Sequence, residues 1–167
     1  TVHSYTNDQN LIDNFHSAER RGRAAPLNMV LTSTGAASAV AKALPQLKGK
    51  LTGNAIRVPT PNVSMAILSL NLTRETSRDE MNSFLQRTSL FSELQDQIDF
   101  TASTEIVSSD LVGSRYAGVV DSQATIVDGD RCVLYVWYDN EFGYSTQVIR
   151  VMNEMAGIKY PTLPVAR

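Results

Sequence analysis

The stretch Gln123-Ala124-Thr125-Ile126-Val127-Asp128-Gly129-Asp130-Arg131-Cys132-Val133-Leu134-Tyr135-Val136-Trp137 decides the fold class. Runs of β-branched and aromatic residues flank an Asp-Gly pair, and Asp-Gly supplies the backbone conformations a tight hairpin turn requires. The pattern predicts strands over 123–127 and 132–137 joined at Asp128-Gly129. Upstream, residues 98–102, 105–108 and 116–120 read as further strands. Residues 63–73 alternate, with Met65 and Ile67 apolar and Ser69 and Asn71 polar, which predicts a strand with one buried face. A sheet made of hairpins with helices interspersed is an α+β architecture, its sheet mixed and largely antiparallel, with helices packed on one face.

The predicted helices are few. Ser77-Arg78-Asp79-Glu80 has the Ser-x-x-Glu capping-box pattern, followed by Met81, Phe84, Leu85 and Thr88 at helical spacing. This is an amphipathic helix packed on the sheet, and residues 90–96 are a connector. A second helix covers 36–44, after the hydroxyl-rich Thr32-Ser33-Thr34-Gly35, and Pro45 and Gly49 end it. A third begins at about Ser145, carries Val148, Ile149, Met152 and Met155 on one side, and stops at Gly157. Residues 159–167, with Pro161 and Pro164, read as an extended, lightly held end.

The chain of 167 residues is the size of one domain with its own core. A formal net charge of -2 gives no electrostatic reason for a nucleic acid or an anionic membrane as partner. No apolar run approaches the roughly 20 residues of a membrane helix. The single cysteine, Cys132, cannot build an internal disulfide framework or a Cys-rich zinc site, so no metal is expected. It lies in an apolar strand and reads as a buried, inert thiol. The cytoplasm is the default compartment.

Four stretches carry candidate chemistry. Thr1-Val2-His3-Ser4-Tyr5-Thr6 reads as a strand delivering the His3 imidazole to a cleft, and imidazole trades protons near neutral pH. A strand that starts two residues before His3 has the character of a piece of a longer protein. Residues 7–28 form a long irregular loop with the cluster Arg20-Arg21-Gly22-Arg23. Guanidinium forks suit phosphate or carboxylate, and a solvated loop with mobile charges is the alternative. Thr34-Gly35 before an Ala-rich helix is either a plain cap or the rim of an anion site at a helix N-terminus. In Asn54-Ala55-Ile56-Arg57-Val58-Pro59-Thr60-Pro61, Arg57 sits in an apolar strand, where a charge needs an ion-pair partner or a ligand. Trp137-Tyr138-Asp139-Asn140-Glu141-Phe142-Gly143-Tyr144 stands at a strand-to-helix junction, where ligand contacts concentrate.

Taken together, the segments 2–9, 33–37, 56–64 and 137–145 closely resemble the C-terminal, catalytic domain of phosphorylating glyceraldehyde-3-phosphate dehydrogenase. The resemblance covers nearly the whole chain, so that residues 1–167 are expected to be that domain. It implies an oxidoreductase of glycolysis or gluconeogenesis that oxidises and phosphorylates an aldehyde. Its small-molecule partners would be glyceraldehyde 3-phosphate and inorganic phosphate, its cofactor NAD or NADP, and its parent a homotetramer. By motif, His3 resembles the general base that activates a thiol and assists hydride transfer. Thr6 and Arg57 resemble ligands of the substrate phosphate. Thr34 and Gly35 resemble the inorganic-phosphate site, with Arg21 a further phosphate contact. Asn140 resembles the residue that bonds the nicotinamide carboxamide, with Tyr144 near that ring.

The resemblance also sets departures. The nucleophilic cysteine with its Ser-Cys-Thr-Thr-Asn context and the Rossmann domain with its Gly-x-Gly-x-x-Gly loop are not among these residues. Asn14-Phe15 stands where strictly NAD-dependent members often carry Leu-Pro, and Leu31 replaces a common proline. The chain alone is therefore expected to be inactive. A module that only self-associates, or a relative acting on erythrose 4-phosphate, are the competing readings.

Overall fold

A computed structural model describes residues 1–165. It holds eight β-strands and three α-helices in two compact units, Thr1–Pro61 and a second beginning at Asn62. The fold class is the expected α+β with mixed sheet pairing.

In the first unit, β1 (Val2–Ser4), β2 (Val30–Ser33) and β3 (Asn54–Val58) form the order β2-β3-β1. β3 runs parallel to β1 and antiparallel to β2, and Arg57 lies opposite both His3 and Val30. The small residues Ala25, Ala55 and Ser4 are buried at this junction, which lets the segments approach closely. α1 (Ala36–Ala43) follows β2 and is succeeded by a 3-10 turn at Pro45–Leu47, where proline ends the α ladder. The connection over residues 7–28 is irregular but pinned. It contains 3-10 turns at Glu19–Gly22 and Ala25–Leu27, and Asp13 Oδ1 accepts hydrogen bonds from the Ala24 N–H at 2.8 Å and Arg23 Nε at 3.2 Å.

In the second unit, β8 (Arg131–Tyr138) is the central strand. It pairs antiparallel with β4 (Ser64–Asn71) along all of its length, and with β6 (Gly118–Asp121) and β7 (Ile126–Asp128); β5 (Ile98–Thr101) joins β6 in parallel. Val119, Val120, Cys132 and Leu134 form its buried core. The β7–β8 hairpin turns at Gly129, whose φ of 63° is the left-handed conformation the Asp-Gly pair predicts. α2 (Arg78–Phe91) packs against β5, and α3 (Phe142–Met155) follows β8.

Several expectations fail in detail. Residues 105–108 form no strand: the Asp110 carboxylate accepts the Val107 N–H at 2.9 Å and Ser108–Leu111 coils into a 3-10 turn. α3 starts at Phe142, not Ser145, because the buried Asp139 carboxylate already accepts the Glu141 and Phe142 N–H groups. The capping box of α2 is half made. Ser77 Oγ accepts the Glu80 N–H, but the Glu80 carboxylate turns to Thr76 and Arg74. Phe84 is 64% exposed, so the packed stripe of α2 runs through Met81, Leu85 and Ser89. β4 lacks one continuous buried face, since Ile67 and Leu68 are both exposed. Val148, Ile149, Met152 and Met155 are exposed on α3, whose partly packed side is Gly143, Thr146, Gln147 and Arg150. The tail is held by Gln95, whose amide bonds both the C=O and the N–H of Leu163. The last two residues of the expected tail, Ala166 and Arg167, lie outside the described residues.

Candidate functional site

The parallel register of β1 and β3 sets His3 beside Arg57. Their side chains meet, with His3 Nδ1 2.7 Å from Arg57 Nη1. The same Nδ1 is 2.7 Å from the Ser4 carbonyl oxygen, to which Arg57 Nη1 also donates at 3.3 Å. Burial holds the His3 pKa below its usual value near 6.5; the bond to the Ser4 carbonyl opposes this, and the Arg57 charge adds to it. The ring is therefore neutral at neutral pH, the form in which an imidazole accepts a proton.

The other predicted residues of this unit stand in separate settings. Thr6, half-buried, gives its carbonyl to the Gln9 N–H at 2.9 Å and opens the turn after β1. Arg21 is ion-paired with Asp8, and His16 Nε2 lies 3.5 Å from the same carboxylate. Asp8 has no signal in the sequence beyond lying in a polar loop, so the partner of Arg21 was not foreseen. Arg20 and Arg23 instead flank an open depression of about 230 Å³ with Asn28 and Met29.

Thr34 Oγ1 accepts the Ala36 N–H at 3.2 Å, a local turn bond to the first residue of α1, whose N-cap is Gly35. A Cβ on Gly35 would meet nothing within 4 Å, which leaves the backbone there open to an approaching group. Ser33 pairs with Asn54 while Arg57 pairs with Val30. Thr34 thus stands four residues along the ladder from the level of Arg57, roughly 13 Å at strand rise. His3 and Arg57 are joined, whereas Thr34-Gly35 belong to the opposite end of the β2–β3 pair.

In the second unit, Asn140 follows β8, and its Oδ1 accepts the Ser64 hydroxyl at 2.8 Å. Tyr144 lies in the first turn of α3, 78% exposed. Next to Asn140 in the chain, Asp139 is 2% exposed and accepts four hydrogen bonds, from the Glu141, Phe142 and Gly113 N–H groups and the Asn62 amide. Burial pushes its carboxyl up, but these donors outweigh burial and hold it below the usual carboxylate range. Val63, between Asn62 and Ser64, has a φ of 65°, an outlier for a β-branched residue, and its N–H is held by Asn62 Oδ1 at 2.7 Å. Ser64, Asn62 and Asp139 were missed as supporting residues; the only signal was their place inside the two segments that carry the resemblance.

Cys132 is 1% exposed in β8, and burial pushes its thiol up, so it is no nucleophile. Among the described residues no three His, Cys, Asp or Glu side chains cluster as metal ligands, and no helix is long and apolar enough to cross a membrane.

Residues 1–140 match the family model described as glyceraldehyde 3-phosphate dehydrogenase, C-terminal domain. A glyceraldehyde-3-phosphate dehydrogenase-like protein of Pseudomonas aeruginosa is 70% identical over 98% of this chain and 36% of its own length. The glyceraldehyde-3-phosphate dehydrogenase of Borreliella burgdorferi is 44% identical over 93% of the chain and 47% of its own length. A chloroplastic glyceraldehyde-3-phosphate dehydrogenase of Arabidopsis thaliana is 47% identical over 93% of the chain and 39% of its own length. The chain thus spans less than half the length of these relatives. With a half-buried imidazole set against an arginine by parallel strand register, and with this match across most of its length, the chain belongs to the glyceraldehyde 3-phosphate dehydrogenase C-terminal domain family.

Proposed function

We propose that these residues are the catalytic domain of a phosphorylating glyceraldehyde-3-phosphate dehydrogenase, working with a nicotinamide cofactor and a thiol that lie outside them. The observation that carries this reading is the contact of His3 with Arg57 at 2.7 Å. It supports a base and a substrate-phosphate anchor held as one unit on adjacent strands. His3, kept neutral by burial, takes the proton of the attacking thiol, gives it to the aldehyde oxygen as the carbon–sulfur bond forms, and takes it back from that oxygen when hydride leaves the same carbon. Arg57 and Thr6 hold the phosphate of glyceraldehyde 3-phosphate, which fixes the aldehyde relative to the base. Thr34 and Gly35, at the N-terminus of α1, receive inorganic phosphate, with Arg21 as a further contact once it exchanges Asp8 for the anion.

The fit to a nicotinamide rests on the Ser64–Asn140 bond: an asparagine held by its oxygen meets a carboxamide carbonyl with its donor end. NAD or NADP, when bound, accepts the hydride. Tyr144, exposed in the first turn of α3, lies near that ring in this reading. Homotetrameric assembly and a cytoplasmic setting belong to the same reading.

The test is phosphate-dependent reduction of NAD or NADP by the full-length protein with glyceraldehyde 3-phosphate. His3→Asn is expected to lower kcat by about 10²–10⁴-fold. Arg57→Leu is expected to lower kcat/KM by roughly 10–100-fold, the value of hydrogen bonds to a charged group. Wild-type rates in His3→Asn would overturn the assignment, and a preference for erythrose 4-phosphate would redirect it to the tetrose.

A second reading, a module whose role is self-association, is favoured by the exposure of Leu11, Ile12, Phe15, Leu27 and Met29 in the first unit and of Ile67, Leu68 and Ile126 in the second.

A further inference from the structure

Charge is segregated along this chain. The first unit, Thr1–Pro61, holds seven Lys or Arg against three Asp or Glu, a formal +4, while residues 62–167 hold eight against fourteen, a formal −6. The overall value of -2 hides this division. No acidic residue stands between Glu19 and Glu75. Two of the three acids of the first unit are engaged locally, Asp8 by Arg21 and Asp13 by Arg23. Lys42, Lys48 and Lys50 differ from those arginines: all three are exposed, and none is ion-paired among the described residues. They lie on one excursion of the chain. α1 leaves Thr34-Gly35 at Ala36, and Gly53 brings the chain back, since a Cβ there would stand 3.7 Å from Thr34 Cγ2. Lys42 sits in the last turn of α1, about 9 Å along the helix axis from Ala36. The Lys48 N–H donates to the Pro45 carbonyl at 3.1 Å and the Lys50 N–H to the Leu47 carbonyl at 3.0 Å, so turns fix the backbone that carries both. Lys50 is three residues from Gly53, at most about 11 Å between Cα atoms. The negative end of α1 accounts for a lysine at 42 but not for the two beyond it.

We propose that Lys42, Lys48 and Lys50 form an electrostatic collector for oxyanions, which raises the occupancy of inorganic phosphate at Thr34-Gly35. The proposal rests on the reading of Thr34-Gly35 as the inorganic-phosphate site. The three ammonium groups need not touch the anion. A patch of one sign, with no carboxylate to close its field, raises the local concentration of counter-ions. An ammonium roughly 10 Å away acts through water, so its pull is weak singly and adds over three, and it doubles for a dianion relative to chloride. Screening sets the reach: the Debye length is about 30 Å at 0.01 M ionic strength and about 3 Å at 1 M. The effect falls on the KM for phosphate and not on kcat, because the lysines touch no reacting atom.

The test uses the full-length protein. The KM for inorganic phosphate is measured in the dehydrogenase assay from about 0.01 to about 1 M ionic strength, set with potassium chloride. Equilibrium binding of phosphate is followed in parallel by the dependence of Tm on phosphate concentration. The triple variant Lys42→Gln, Lys48→Gln, Lys50→Gln removes the charge, and the triple variant Lys42→Arg, Lys48→Arg, Lys50→Arg keeps it. The glutamine variant is expected to raise the KM for phosphate about threefold to tenfold at the low ionic strength and less than about twofold at the high one, with kcat unchanged. The arginine variant is expected to match the wild type at both. A glutamine variant with the wild-type KM at low salt overturns the proposal. So does an arginine variant as impaired as the glutamine one, since side-chain shape and not charge would then be at work. If the glutamine variant does not fold, the wild type decides: a phosphate KM that salt leaves unchanged overturns the proposal. A protein without dehydrogenase activity, whose Tm still rises with phosphate in a lysine- and salt-dependent way, would sink the functional reading and keep this one. An active enzyme whose phosphate KM ignores both salt and the lysines would do the reverse.

Discussion

Asp139 shows what a single residue contributes here. Its carboxylate is buried and satisfied by four donors, so its charge is stabilised by hydrogen bonds in place of water. The folded carboxyl therefore has a lower pKa than the unfolded one. The sign follows by linkage: the unfolded chain binds the proton first, so this stability is fully present above the ordinary carboxylate range and is lost as pH falls through the folded value. Asp139→Asn puts an NH₂ where an N–H already points, and is expected to cost roughly 2–3 kcal/mol at neutral pH and to flatten the acid limb of urea midpoint against pH. An unchanged acid limb would show that other carboxylates set it. His3 acts in the same direction at higher pH. Its folded pKa is depressed, so it contributes stability above about 6.5 that declines on acidification towards the folded value. His3→Gln should remove that slope. Asp139 is legible in the sequence only as one polar residue among aromatics, since nothing in residues 137–144 reveals that Gly113 and Asn62 will meet it.

Elements were legible where local chemistry decides and misread where packing does. The Ser77 cap and the Asp128-Gly129 turn depend on neighbours within a few residues, and both form. Ser77→Ala is expected to cost about 1 kcal/mol, measured by urea unfolding, because the Glu80 N–H loses its acceptor. The apolar residues of α3 illustrate the converse. Helical spacing places Val148, Ile149 and Met152 on one side, but burial falls on the side of Gly143. A Cβ at Gly143 would stand 2.8 Å from the Tyr116 carbonyl oxygen, closer than real contacts allow. Gly143→Ala gains helix propensity of up to about 1 kcal/mol yet must move a backbone. The expected net is a loss of about 1–3 kcal/mol, seen as a lower Tm. A raised Tm would mean that α3 can shift freely. Residues 105–108 were misread because β-branched Val107 suggests a strand, while Asp110, three residues on, offers its N–H a local partner.

At the scale of the molecule, the proposed thiol and cofactor lie outside residues 1–167, so the purified chain is expected to give no phosphate-dependent reduction of NAD or NADP. Measurable turnover from residues 1–167 would sink the division of labour proposed here. Light scattering on the same sample tests self-association, and a strict monomer at high concentration would count against the assembly reading. The sequence alone carried the fold class, the strand that bears His3, the place of α1 and the family, because each depends on local pattern or on motifs in order. Only the folded chain decided who meets whom. Arg57 touches His3 and Arg21 turns to Asp8, while Thr34 stands at the far end of its ladder. Strand register and side-chain reach set those pairings, and both arise from contacts between residues tens of positions apart that no local spacing encodes.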